Sequence, residues 1–108
     1  MEEYPPLTLN HMKVIEEIES DVFFDYELTN DQITILVNMT MHKMDYKKYT
    51  TEHVKTITRI VLYIIDKYYD VKGEERAIID SMIVTQIHTN ISQNYKYERP
   101  RVCVCTIA

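Results

Sequence analysis

Residues 50–70 read TTEHVKTITRIVLYIIDKYYD, and this stretch decides the fold class. Val54, Ile57, Val61, Ile64, Ile65 and Tyr68 recur at three- and four-residue spacing, the period of one helix face. Ile60, Leu62 and Tyr63 add apolar surface on most of the remaining circumference. A helix apolar nearly all round must be covered on several sides, so it is expected at the centre of a bundle. Thr50 or Thr51 starts it and Asp70 ends it.

On its N-terminal side, Thr29-Asn30-Asp31-Gln32 has the spacing of a capping box and predicts a helix over 30–45. Ile33, Leu36, Val37, Met41 and Met44 give that helix one apolar face, and residues 45–49 read as a polar turn. Met12, Ile15, Ile18 and Val22, widened by Val14, predict an earlier helix over 10–25 with Asn10 or Thr8 as its cap. Residues 1–9 form an extended lead, because Pro5-Pro6 disfavours helix before it.

On the C-terminal side, Gly73 is placed to end the central helix in a left-handed residue. Glu74 and Glu75 suit the first turn of the next helix. Ile79, Met82, Ile83, Gln86, Ile87 and Ile91 predict its buried face over 74–93. Pro100 stops any continuation, and Val102 to Ile107 is rich in β-formers. The fold class is therefore all-α: a four-helix bundle over 10–93 with an extended β-prone C-terminal tail over 94–108. Short connections imply antiparallel neighbours. No internal repeat shows on a linear reading.

The stretch Val54 to Ile83 resembles segments of small helical proteins of large DNA viruses. It carries a strongly apolar helix, then Val71-Lys72-Gly73-Glu74-Glu75-Arg76, then a second amphipathic helix. The abundance of Ile, Tyr, Lys, Asn and Met matches AT-rich coding, which such viruses share with phages and some parasites. The resemblance implies a viral source and transfers no functional residue.

The 108 residues fit one domain, and 45% hydrophobic content is enough for one core. A single Gly leaves little material for phosphate-cradling loops. His11, His42, His53 and His88 stand too far from one another and from Cys for a zinc-type pair. Cys103-Val104-Cys105 has a one-residue gap, which fits neither a zinc knuckle nor an unstrained disulfide. No nucleophile elbow or phosphate loop occurs, so neither an enzyme nor a metal or other cofactor is expected. The sequons at Asn38 and Asn90 fall inside predicted helices and read as chance. The N-terminus lacks the layout of a signal peptide, so a cytoplasmic or virion location is expected, not secretion.

Three modes of binding follow. The first is a structural or adaptor protein that contacts a protein partner or itself. Tyr95, Tyr97, Arg99, Arg101, Val102 and Val104 are its expected contact residues. Residues 1–31 carry nine acids and one base, so the first helix offers a second, acidic contact. The next is a helix-turn-helix-like nucleic-acid binder using Lys47, Lys48, Lys55 and Arg59, which the net charge of −5 disfavours. The last is a membrane anchor. Cys105-Thr106-Ile107-Ala108 fits the prenylation pattern, with Cys103 as a second acylation position.

Overall fold

The computed structural model describes residues 6–94 and 96–97. Four helices dominate it: α1 (Leu9–Asp21), α2 (Asn30–Met44), α3 (Thr51–Tyr68) and α4 (Gly73–Asn94). Two short strands complete it, β1 (Lys48–Tyr49) and β2 (Lys96–Tyr97).

Each of the first three helices begins on a threonine. Thr8 and Thr50 make full capping boxes, and each accepts the backbone N–H of the third helical residue at 3.2 Å. In both, that third residue is a histidine, and its Nδ1 accepts the cap residue's own N–H. Histidine thus stands where Glu or Gln usually closes the box. Thr29 accepts from Gln32 N–H at 3.1 Å, but Gln32 does not return the bond. Its Oε1 accepts instead from Asp25 N–H, tying down the preceding loop. Thr50→Ala is expected to cost about 1 kcal/mol. A lower urea midpoint at unchanged m-value checks it, and an unmoved midpoint refutes it.

Helix ends depart from expectation in two places. α1 stops at Asp21, four residues short of the expected Asp25. The chain then runs extended from Val22, and Phe24 stacks on Tyr68 with ring centroids 4.0 Å apart. That stack and the hydrogen bond from Tyr69 Oη to Asp25 O, 2.9 Å, hold the segment against the end of α3. The other departure concerns Gly73. It has a positive φ of 66°, but α3 has already closed at Tyr69, whose backbone is extended. Gly73 instead opens α4, and the left-handed helix cap belongs to Asp45 at the end of α2.

α3 is the central element and packs against α1, α2 and α4. Ile57, Ile60, Val61, Ile64 and Ile65 are fully buried there, and Ile18, Leu36, Val37, Ile83 and Ile87 surround them from the other helices. Expected burial holds at the centre of each stripe, while Met12, Val14, Val22, Met44, Tyr63, Met82 and Gln86 are only partly buried and Tyr68 is 42% exposed.

Adjacency, not direction, is where the helices depart from an up-and-down bundle, because the alternate helices α2 and α4 touch. α2 and α4 lie side by side in the same sense. The N-terminal half of α2 (Asn30, Ile33, Thr34) faces Ile78 and Met82, and its C-terminal half (Asn38, Met39, His42) faces Asn90 and Gln93. The strands that follow them are therefore parallel, with Lys48 opposite Lys96 and Tyr49 opposite Tyr97. The expected polar turn at 45–49 is thus partly a strand, and Tyr49 is only 2% exposed.

A helix–helix–strand unit accordingly occurs twice in the chain. The two units share sequence once they are aligned on structure. Thr8, His11, Lys13, Ile15 and Ile18 recur at the same spacing as Thr50, His53, Lys55, Ile57 and Ile60. Asp21-Val22-Phe23-Phe24-Asp25 finds its counterpart in Asp66-Lys67-Tyr68-Tyr69-Asp70. The linear reading missed this because the first helix of the second unit has 18 residues against 13.

Candidate interaction surfaces

The acidic N-terminal third is partly consumed inside the fold. Lys43 of α2 reaches Asp21 at 3.3 Å and Glu17 at 3.5 Å. Lys67 of α3 pairs with Glu19 at 2.9 Å. Farther along, Arg76 of α4 binds Asp66 of α3 at 2.7 Å. These acids of α1 dock their own helix, so the charge left for an outside contact shifts to the loop beyond it.

The expected first helix over 10–25 takes in only the first part of that loop, through Asp25. Phe23 is 84% exposed and Tyr26 is 98% exposed, with Asp25, Glu27 and Asp31 also at the surface. Two large rings standing free within four residues are unusual, because burying such a ring removes well over 100 Å² from water. The one sequence signal was the run Phe23-Phe24-Asp25-Tyr26, which cannot put all its rings on one helix face.

The basic residues expected to face phosphates fall into two groups. Lys47 and Lys48 are exposed beside β1. Lys55 and Arg59 sit half-buried one turn apart on α3, in an otherwise narrow exposed stripe with Glu52, Tyr63 and Asp66. Thr56, between Lys55 and Arg59 in sequence, is buried and offers nothing to a base edge. Beside β1, Tyr46 stacks on His53 at 3.8 Å, and its burial pushes the phenol above its ordinary value.

Of the expected tail contacts, only the backbone of Tyr97 lies within the described residues. Tyr95, Arg99, Arg101, Val102 and Val104 lie outside them, as do Cys103 and Cys105. The strand at Lys96–Tyr97 pairs within its own chain.

Two open grooves of about 600 and 610 Å³ run along the α2/α4 seam. The first exposes Ile78 and mixes apolar lining from Ile33, Ala77 and Met82 with Asn, Thr, Ser and Gln side chains. Asn90, one of the two sequon asparagines, is buried at the second and donates to Asn38 Oδ1 at 2.6 Å. Among the described residues no cluster of His, Cys, Asp and Glu could hold a metal, and no helix is long and apolar enough to cross a membrane. Comparison with protein-family models, curated proteins and solved structures gave no match.

The resolved ionisation shifts all point one way. The Asp21 carboxylate, backed by Glu17, raises Lys43, and Glu19 raises Lys67. Burial raises Tyr46, Tyr68 and Tyr69, the latter two also feeling Glu19 and Asp25. A group whose folded pKa is raised keeps its proton longer in the folded state. Its stabilisation is complete below the unfolded value, about 10 for Tyr and 10.4 for Lys, and is lost as pH climbs through the folded value. The urea midpoint is thus expected to fall above about pH 10. A midpoint unchanged to about pH 11 refutes this.

Proposed function

We propose that this chain is a non-catalytic structural or adaptor protein that works by protein–protein contact, in keeping with a viral particle component. The observation that carries the reading is the loop after α1. It presents Phe23 and Tyr26 almost fully to solvent, beside Asp25, Glu27 and Asp31, which make no ion pair among the described residues. Exposed aromatic anchors rimmed by charge are the usual make-up of a protein-binding patch. The tail residues Tyr95, Tyr97, Arg99, Arg101, Val102 and Val104 remain proposed as a further contact, and Cys105 as a lipid site only if it is prenylated.

The test places a photoreactive residue at position 26 and, as a control on α1, at position 16. The labelled chain is irradiated in the cell that makes it, beside a mobility-shift assay with labelled duplex. A discrete protein adduct from position 26 and not from 16 supports the reading. No adduct, with salt-sensitive duplex binding lost on changing Lys47, Lys55 and Arg59, overturns it in favour of nucleic-acid binding.

A further inference from the structure

We infer that the aromatic loop after α1 docks on the exposed stripe of α3 in a second copy of this chain. The inference rests on the protein-contact reading above and names its partner.

The loop is built to be presented. Residues 21–31 contain Asp21, Asp25, Glu27 and Asp31 and no Lys or Arg. Asp21 is taken by Lys43, and the other three make no ion pair among the described residues. The loop is also held in place. Phe24 stacks on Tyr68, Tyr69 Oη donates to Asp25 O, and Gln32 Oε1 accepts Asp25 N–H. Gln32 is 2% exposed, and its Nε2 has no hydrogen-bond partner among the described residues. An anchored backbone with free rings loses little entropy on binding.

The receptor supplies cations, in a stripe whose acids are Glu52 at one end and Asp66, taken by Arg76, at the other. Lys55 and Arg59 lie one turn apart on α3, half-buried, with Tyr63 one turn further on. Neither cation makes an ion pair among the described residues. Both stems are packed, so their charged ends are positioned and lose little freedom on pairing. Two fixed cations match the loop's carboxylates, and an aromatic ring over Arg or Lys adds a cation–π contact.

The two surfaces cannot meet within one molecule. The loop is fixed at Tyr68, and at 1.5 Å per residue that lies about 20 Å along α3 from Lys55 and 14 Å from Arg59. An acidic surface and a basic surface at separate places on one chain can pair reciprocally in a two-fold dimer or in one sense from copy to copy. In the second arrangement the contact repeats and closes into a ring or grows as a filament.

The test is sedimentation of the full chain with two variants, Phe23→Ala/Tyr26→Ala and Lys55→Glu/Arg59→Glu. Both change surface positions, and circular dichroism confirms that each remains helical. In low salt, ~50 mM, the native chain is expected to associate with concentration, and to weaken at least about tenfold near 500 mM. Each variant alone stays monomeric. Mixed, the two give a dimer and nothing larger, because only one competent loop and one competent stripe remain. Reversing the loop as Asp25→Lys/Glu27→Lys in the chain that carries Lys55→Glu/Arg59→Glu restores association. A native chain that stays monomeric at low salt overturns the inference, and so does a mixture without dimer. Either result leaves an adduct of position 26 with a foreign protein standing, so the two readings fail separately.

Discussion

Ile64→Ala is expected to remove about 3 to 4 kcal/mol of stability, within the range for emptying a buried branched site. Ile64 is fully buried near the middle of α3, the helix that touches all three others. The cavity has rigid walls, because α2 and α4 are locked to one another and α3 is packed between elements that cannot close in independently. A domain of this size has only about 5 to 15 kcal/mol to lose, so one substitution should take away a large part of it. Ile35→Ala provides the comparison. Ile35 is 46% exposed on α2, and its truncation should stay within about 0.5 kcal/mol. Urea unfolding of the two variants decides the matter. Equal midpoints would mean that α3 is not the centre of the core.

Asn90→Ala is expected to cost about 1 to 3 kcal/mol, although it removes only a small polar group. Asn90 is where α2 and α4 are joined by polar bonds. It donates to Asn38 Oδ1 at 2.6 Å and to Met41 Sδ at 3.4 Å, and it accepts from Gln86 Nε2 at 3.1 Å. Taking it out leaves Gln86 and Asn38 without their partner in a part-buried seam, and an unpaired buried group costs more than a bond contributes. Asn38→Ala should cost less, under about 1 kcal/mol, because Asn38 is exposed, so water can enter the space it leaves and accept from Asn90 Nδ2. If the two variants are equally mild, the seam is held by its apolar contacts alone.

Much of the fold was legible in the residues. The four apolar stripes report burial directly, and Thr29 and Thr50 mark helix starts because their side chains take up backbone N–H groups that the helix leaves over. Other features depend on contacts between distant residues. α1 stops at Asp21 because Phe24 finds Tyr68, and nothing near Phe24 in sequence announces that stack. Tyr49 reads as a turn residue, yet it is buried because a strand from the far end of the chain lies beside it. The direct contact of α2 with α4 was hidden for the same reason. Loop length suggests which neighbours are antiparallel, but it does not say that alternate helices also touch. The surface was the least legible part. Nothing in the run Phe23-Phe24-Asp25-Tyr26 says which ring will find a neighbour; in the fold Phe24 stacks on Tyr68, while Phe23 and Tyr26 stay exposed.

The parallel pairing of Lys48–Tyr49 with Lys96–Tyr97 also bears on the order in which the molecule assembles. The helices and their caps are set by residues three or four apart and can form early. The strand pair joins positions about 48 residues apart, so its chain-closure entropy is met only after both units have collapsed on α3. Two residues per strand add few bonds in return. The pair should therefore be the last native contact to form and the first to open. Amide hydrogens there should exchange with solvent through small local openings, while those in the middle of α3 wait for the whole chain to unfold.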